Sequence, residues 1–280
     1  MCDMDKDEIL VQKRLAELSQ TAFHRGIVTF SDFLNLNEQQ LLHQLPKNMR
    51  ATPVYLFGGY ISAERCQAAF IPKEASDRSG LDSDWFQGNS RSCVSTEDTL
   101  FAKSLGFPIS CLFLQPIQTK FAAPLTHRDY LGALLNLGIE RHKTGDILVG
   151  DNEAHVFVRA GLCDFICENL TKIRHTSVKV SPTSINDYKY EARFKQIKGS
   201  VASVRLDALI GLAFNLARGK SCEYIESGKV FINNRLVSSN GYKPQENDMI
   251  SVRGMGRLVY HGIAAETRKG RYVVEIGVFI

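Results

Sequence analysis

The stretch that most constrains how this chain can fold runs from Ser203 to Gly254. Leu206, Leu209, Ile210, Ala213 and Phe214 recur at the spacing of one apolar helix face. Arg218-Gly219-Lys220 interrupts that pattern. A second short helix is predicted from Ser221 to Ser227, with Cys222 and Ile225 inward and Gly228 as its C-cap. Val230-Phe231-Ile232 is a β-rich run, Asn233-Asn234 suits the positive φ of a tight hairpin turn, and Leu236-Val237 begins the return strand. Asn247-Asp248 then leads into a strand over Met249–Val252.

The cations of this stretch fall at its joints. Arg205 stands at the start of the first helix, and Arg218 and Lys220, flanking Gly219, at the start of the second. Lys229 follows the second helix, Arg235 follows the hairpin turn, and Arg253 ends the last strand of the stretch. Helix-start N–H groups favour anions, and a guanidinium beside them adds a bidentate phosphate clamp. The competing reading is a set of solvated surface charges.

RLDxL, then A-R-G-K-S-x-x-x-I-x-x-G-K-V-x-I-N, then N-D-x-I-x-V-R-G resembles the alpha-L RNA-binding motif, the module first known from ribosomal protein S-four. The second helix of that motif commonly begins Ser-Arg with an Ala three positions after the Arg. This chain has Ala217 and Ser221 there, both small enough for close helix packing. The resemblance implies RNA contacts at Arg205, Arg218, Gly219, Lys220, Lys229, Arg235 and Arg253.

Charge is spread to match. Residues 195–280 hold 13 Lys and Arg against 7 Asp and Glu, net +6, within a chain whose net charge is +4. The other residues therefore carry net −2. The basic excess sits with the RNA-binding signature, as a polyanionic partner requires. At 280 residues, 44% apolar and 23% charged, the chain has the make-up of two or three globular domains. No apolar run approaches the ~20 residues of a membrane span. The opening MCDMDKDEIL is acidic where a signal peptide is basic and then apolar, so a cytoplasmic location and no membrane partner are expected. Seven scattered cysteines form no CxxC pair; Cys163 and Cys167 can share a helix face but make a poor zinc site alone, so reduced thiols and no metal are expected.

Along the chain, Asp7–Leu18 reads as a helix with Ile9, Leu10, Leu15 and Leu18 inward. Asn37 to Gln40 reads as a capping box opening a helix to about Leu45. Pro53–Phe57 and Gln67–Ile71 are strand-like and can pair across Gly58-Gly59. Pro72 to about Asp98 reads as a long loop anchored by Trp85-Phe86. A regular pattern follows. Ile109–Ile117 is a strand, and Thr126–Leu137 a helix capped by Thr126 with Leu131, Leu134 and Leu135 inward. Asp146–Val149 and Ala154–Val158 form a hairpin. Leu162–Ile173 is a helix with Phe165, Ile166 and Leu170 inward, and Val178–Val180 a strand. This is the βαββαβ order of ferredoxin-like, RRM-like domains, but the hairpin offers Phe157 alone where an RRM carries an aromatic platform. The expected fold is α+β: an N-terminal helical and β-hairpin region over 1–100, a ferredoxin-like domain over 101–185 and an alpha-L domain over 195–280.

FGGYxxAER at Phe57–Arg65, HRDYLGALLNLGI from His127, the following GDI, and the alpha-L motif together resemble the YlmH family of bacterial RNA-binding proteins. The resemblance implies association with the large ribosomal subunit through ribosomal RNA and tRNA. Some members of the family act in quality control of stalled nascent chains. Arg128, Asp129 and Gly132, in the most distinctive motif, are expected to set domain orientation or form an interface. Gly132 interrupts an apolar helix at a cost of roughly 1 kcal/mol against Ala, which suits close approach by another backbone.

Catalytic motifs fail on spacing. Gly219-Lys220-Ser221 has Phe214 where a P-loop needs Gly, and Gly254-Met255-Gly256 is followed by Val259 where a dinucleotide fingerprint needs Gly. His127-Arg128-Asp129 matches a kinase triplet in letters only. Asp207, in the sole RLD, is expected to pair locally. The expectation is a non-enzymatic RNA binder without catalytic residues or cofactor. The alternatives are an RNA-modifying enzyme with its site in the middle of the chain, or a protein-interaction scaffold.

Overall fold

The computed structural model describes residues 6–46, 49, 51–61, 63–73, 75, 91–92, 96–118, 123–184 and 194–279. The chain is α+β and divides into two compact units, Met1–Tyr190 and Glu191–Ile280. The first unit thus holds the 1–100 and 101–185 segments together, and the second holds 195–280.

Helix α1 spans Lys6–Arg25, with Asp7 and Glu8 in its first turn and His24 and Arg25 in its last, each complementing the helix dipole. It runs a full two turns beyond Leu18 to Gly26, whose φ of 63° lets the chain turn out of the helix. Leu15 and Ala22 are buried, whereas Ile9 and Leu10 are exposed, so the inward face starts later than the sequence pattern indicates. Strand β1 (Thr29–Phe30) precedes α2 (Leu36–His43). The capping box of α2 lies two residues before the predicted one. Asn35 Oδ1 accepts from the N–H groups of Asn37 and Glu38, and Glu38 returns a carboxylate to Asn35 N at 2.6 Å. An ionised Glu at the third helical position makes a stronger return bond than Gln40 could. Strands β2 (Val54–Phe57) and β3 (Gln67–Phe70) pair antiparallel as predicted, and β4 (Arg91–Ser92) joins β2 in parallel, giving the order β1-β3-β2-β4. Helix α3 (Thr96–Ser104) follows. Trp85 and Phe86 lie outside the described residues.

The second sheet is built from β5 (Ile109–Pro116), α4 (His127–Asn136), β6 (Thr144–Val149), β7 (Ala154–Arg159), α5 (Cys163–Asn169), β8 (Lys172–Ile173) and β9 (Thr176–Thr183). Its order is β6-β7-β5-β9-β8, all pairs antiparallel, which contains the strand order of a split βαββαβ unit. Two predictions for its helices are corrected. Leu135 is exposed while Tyr130 is buried in its place. The predicted Leu162–Ile173 helix stops at Asn169, because Leu170–Arg174 turns back to make the β8–β9 hairpin; Ile173 is buried as a strand residue and Phe165 faces out.

Alternation along β5 and β7 sends side chains to two cores. Leu112, Leu114, Val156 and Val158 pack under α4 and α5. Ile109, Cys111 and Phe157 join Phe33, Phe57 and Tyr60 in the core of the N-terminal region. Phe157 stacks on Tyr60 with centroids 5.1 Å apart, and a Cβ on Gly59 would sit 2.3 Å from its ring. Phe157, the aromatic of the predicted hairpin, is therefore fully buried.

The motif pieces named above make this seam. Asp146 of GDI accepts hydrogen bonds from Tyr60 Oη (2.7 Å), Glu64 N (2.7 Å) and Arg65 N (3.1 Å). The Arg65 guanidinium donates to the carbonyls of Thr144, Phe33 and Arg141. Nearby, buried Asp32 gathers Arg14 of α1 with Lys143 and Arg159 at 2.6–2.9 Å. Burial alone would raise the Asp32 pKa, but the bonds from Lys143 and Arg159 outweigh it and hold the carboxyl below its ordinary value.

The second unit begins with β10 (Phe194–Val201), then α6 (Leu206–Phe214) and α7 (Arg218–Glu226), followed by β11 (Val230–Ile232), β12 (Arg235–Leu236), β13 (Met249–Val252), β14 (Gly256–Glu266) and β15 (Tyr272–Phe279). The sheet order is β10-β15-β14-β13-β11-β12. The break between the helices falls at Asn215, in the left-handed region with φ 52°, and not at Arg218–Lys220, which form the first turn of α7. Asn233 and Asn234 both hold positive φ, as the predicted hairpin turn needs. Gly211 lets the helices meet closely: a Cβ there would stand 3.1 Å from Leu216 O and 3.3 Å from the buried Ser221 Oγ. Leu206, Leu209, Ile210 and Ile225 complete the core over the sheet.

Candidate nucleic-acid interface

Asp207, in the first turn of α6, is 2% exposed and organises the start of both helices. Its Oδ1 accepts from Arg205 Nε at 3.1 Å and from Ala208 N at 3.0 Å. Its Oδ2 accepts from Arg205 Nη2 at 3.2 Å and from Arg218 Nε at 3.1 Å. A carboxylate so engaged is a fixture for two guanidiniums, in line with the local pairing expected of it. Arg218 is 73% exposed and bonds Asp207 through Nε, which leaves its two terminal nitrogens available to an outside acceptor.

A second pair of cations rests on one ring. Lys220 Nζ lies 5.8 Å and Lys229 Nζ 5.6 Å from the centroid of Tyr224, within cation–π range. Lys220 also pairs with exposed Glu223 at 2.8 Å, and this bond raises the lysine's pKa and lowers the glutamate's. Arg253 N donates to Lys229 O at 2.8 Å, so the β13–β14 turn adjoins the end of α7. Gly219 has open space around its missing Cβ, leaving the backbone of the first turn of α7 approachable. The structure thus brings Arg205 with Arg218, and Lys220 with Lys229 and the Arg253 backbone, all about α7. Arg235 lies apart on the edge strand β12.

Arg128, Asp129 and Gly132 share one face of α4 and line one groove. Asp129 caps its own helix, accepting from Thr126 N at 2.8 Å and Thr126 Oγ1 at 2.7 Å. Those bonds, with Arg174 nearby, hold its pKa low. Two thiols are held away from ionisation: burial pushes Cys111 up to about 12, and burial with the neighbouring Cys163 raises Cys167. Sequence reasoning missed the seam residues Tyr60, Arg65 and Asp146. Their signal was present as the two motif pieces, with nothing in the spacing to say that the pieces touch.

Residues 107–187 match the family model described as "Putative RNA-binding domain in YlmH". That domain is YlmH-like. The chain is also 26% identical over 273 residues to "Ribosome-associated protein quality control protein P2" of Bacillus subtilis (strain 168), covering 96% of this chain and 94% of that protein. Among solved structures, "Cell division protein ylmH from Streptococcus pneumoniae" is 20% identical with a TM-score of 0.46, covering 68% of this chain and 99% of that one. The family match falls on the β5–β9 sheet and its helices, so the YlmH-like domain contains the groove on α4, whereas the Asp207 cluster lies outside it.

Proposed function

We propose that this chain is a non-enzymatic RNA-binding protein of the cytoplasm that works on the large ribosomal subunit. Its alpha-L unit grips phosphates of ribosomal RNA or tRNA through the helix starts of α6 and α7, and its YlmH-like domain supplies a second contact. The observation that carries the reading is the Asp207-anchored pair Arg205 and Arg218, whose orientation is set before any ligand arrives. A guanidinium held by a buried carboxylate loses less side-chain entropy on meeting a phosphate than a free one does. The relative named for ribosome-associated quality control, similar along almost the whole chain, supports a role with stalled nascent chains. Two tethered contacts exceed either alone by roughly 10²–10⁴ when both can engage.

Crosslinking in cells followed by sequencing of the bound RNA tests this. Enrichment of large-subunit rRNA and tRNA is the expected result. Recovery of no RNA above background would overturn it, and a change in mass of any RNA nucleoside on incubation with purified protein would replace it with the enzymatic alternative.

A further inference from the structure

We propose that the groove between α4 and the α5–β8 corner is a second RNA seat, where a phosphodiester backbone lies against Arg128, Lys172 and Arg174 over Gly132. This rests on the reading of the chain as an RNA binder. The groove has a volume of about 490 Å³. Arg128, Gly132 and Asn136 of α4 form one wall, and Asn169, Lys172 and Arg174 the other.

Two locally unfavourable choices face each other across it. Gly132 sits in the middle of α4, where Ala would favour the helix, yet a Cβ there would meet nothing within 4 Å. No packing among the described residues calls for a glycine. Arg174 occupies the left-handed region, φ 53°, in the two-residue β8–β9 turn, a place that Gly or Asn fills with less strain. Departures from local preference that converge on one concavity mark a site, because something outside the local structure compensates for them.

Charge selects the occupant. The groove holds three cations against one carboxylate, Asp129, which is already engaged in capping α4 and pairs with Arg174 Nη1 at 3.4 Å. Arg128 and Lys172 are exposed. The two asparagines add donors and acceptors suited to phosphate and ribose hydroxyls. At Phe157 the opposite face of the sheet is closed to bases by Gly59 and Tyr60, whereas the helix-side groove is open to a backbone contact.

The test uses full-length protein in three forms besides wild type: Arg128→Ser/Lys172→Ser/Arg174→Gly, Gly132→Leu, and Arg218→Ala/Lys220→Ala. Each is titrated with deproteinised large-subunit rRNA and with intact large subunits across a salt series. Gly132→Leu fills the groove from an open helix position, so its melting temperature should not fall. The groove triple variant should bind rRNA at least about tenfold more weakly at low salt, with the log–log salt slope flattened by about two to three. Gly132→Leu should weaken binding with its charges intact. If both groove variants match wild type on rRNA while Arg218→Ala/Lys220→Ala loses affinity, the groove is not an RNA seat and the RNA-binding reading stands. If the groove variants lose intact subunits but keep deproteinised rRNA at the wild-type slope, the occupant is a protein and the proposal is overturned. If wild type binds neither, the RNA-binding reading fails and the proposal falls with it.

Discussion

Asp146 offers a direct way to test how the first unit is held together. Its carboxylate accepts three hydrogen bonds, all from residues 60–65, more than eighty positions earlier in the chain. Asp146→Ala leaves the Glu64 and Arg65 N–H groups and the Tyr60 hydroxyl without that acceptor. A hydrogen bond to a charged group contributes about 1.5–3 kcal/mol, but these are only part-buried and water replaces some of what is lost, so the total comes to ~3 kcal/mol. The same seam seats Phe157 on Tyr60 and Gly59, so its loosening reaches the shared core. The second unit has a core of its own. Thermal unfolding with a probe in each unit should show the transition of the first unit lowered by roughly 6–12 °C for a unit of this size. The transition of the second should stay in place. A shift below about 1 °C, given that a 1 kcal/mol change moves such a unit by roughly 2–4 °C, would refute the claim that Asp146 fastens the N-terminal region to the sheet.

Three further outcomes follow from single groups. Because the Asp32 pKa is lowered on folding, its stabilisation is present above the unfolded value of about 3.9 and is lost as pH falls through the folded value. Asp32→Asn should therefore be less stable than wild type at pH 7, and the gap in urea midpoint should close below about pH 4. Leu209→Ala removes a fully buried side chain from the second core and should cost ~2–4 kcal/mol in denaturant melts. Arg218→Ala removes one exposed partner of Asp207 and should cost under about 1 kcal/mol of stability, while weakening RNA binding by ~1–3 kcal/mol in a filter assay.

Much of this was legible from sequence because it is local. The 3.6-residue spacing of Leu206, Leu209 and Ile210, the Asn233-Asn234 turn and the period-2 strands of β5 and β7 each specify themselves within a few residues. The cap of α2 was misplaced because Asn35 and Asn37 both precede a Glu or Gln at the right distance, and only the ionised Glu38 wins. The end of α5 was misread because Ile173 is apolar at a helical spacing yet serves a strand. Long-range pairings were not legible at all. Nothing near Asp146 says that Tyr60 lies on it, and nothing in SVRLD says that Asp207 binds Arg218 as well as Arg205. Of the predicted contact residues, those about α7 come together because the two helix starts share one carboxylate, while Arg235 follows a turn that points its strand to the sheet edge.

The central claim is that cations fixed about α7 hold RNA by its phosphates. It is tested most directly by the salt dependence of binding of full-length protein to a structured RNA. If about four to six phosphates are neutralised, the log–log slope lies near −3 to −5, and Arg218→Ala/Lys220→Ala flattens it by about two. An affinity that does not change with salt, or a slope identical in wild type and variant, would contradict the account.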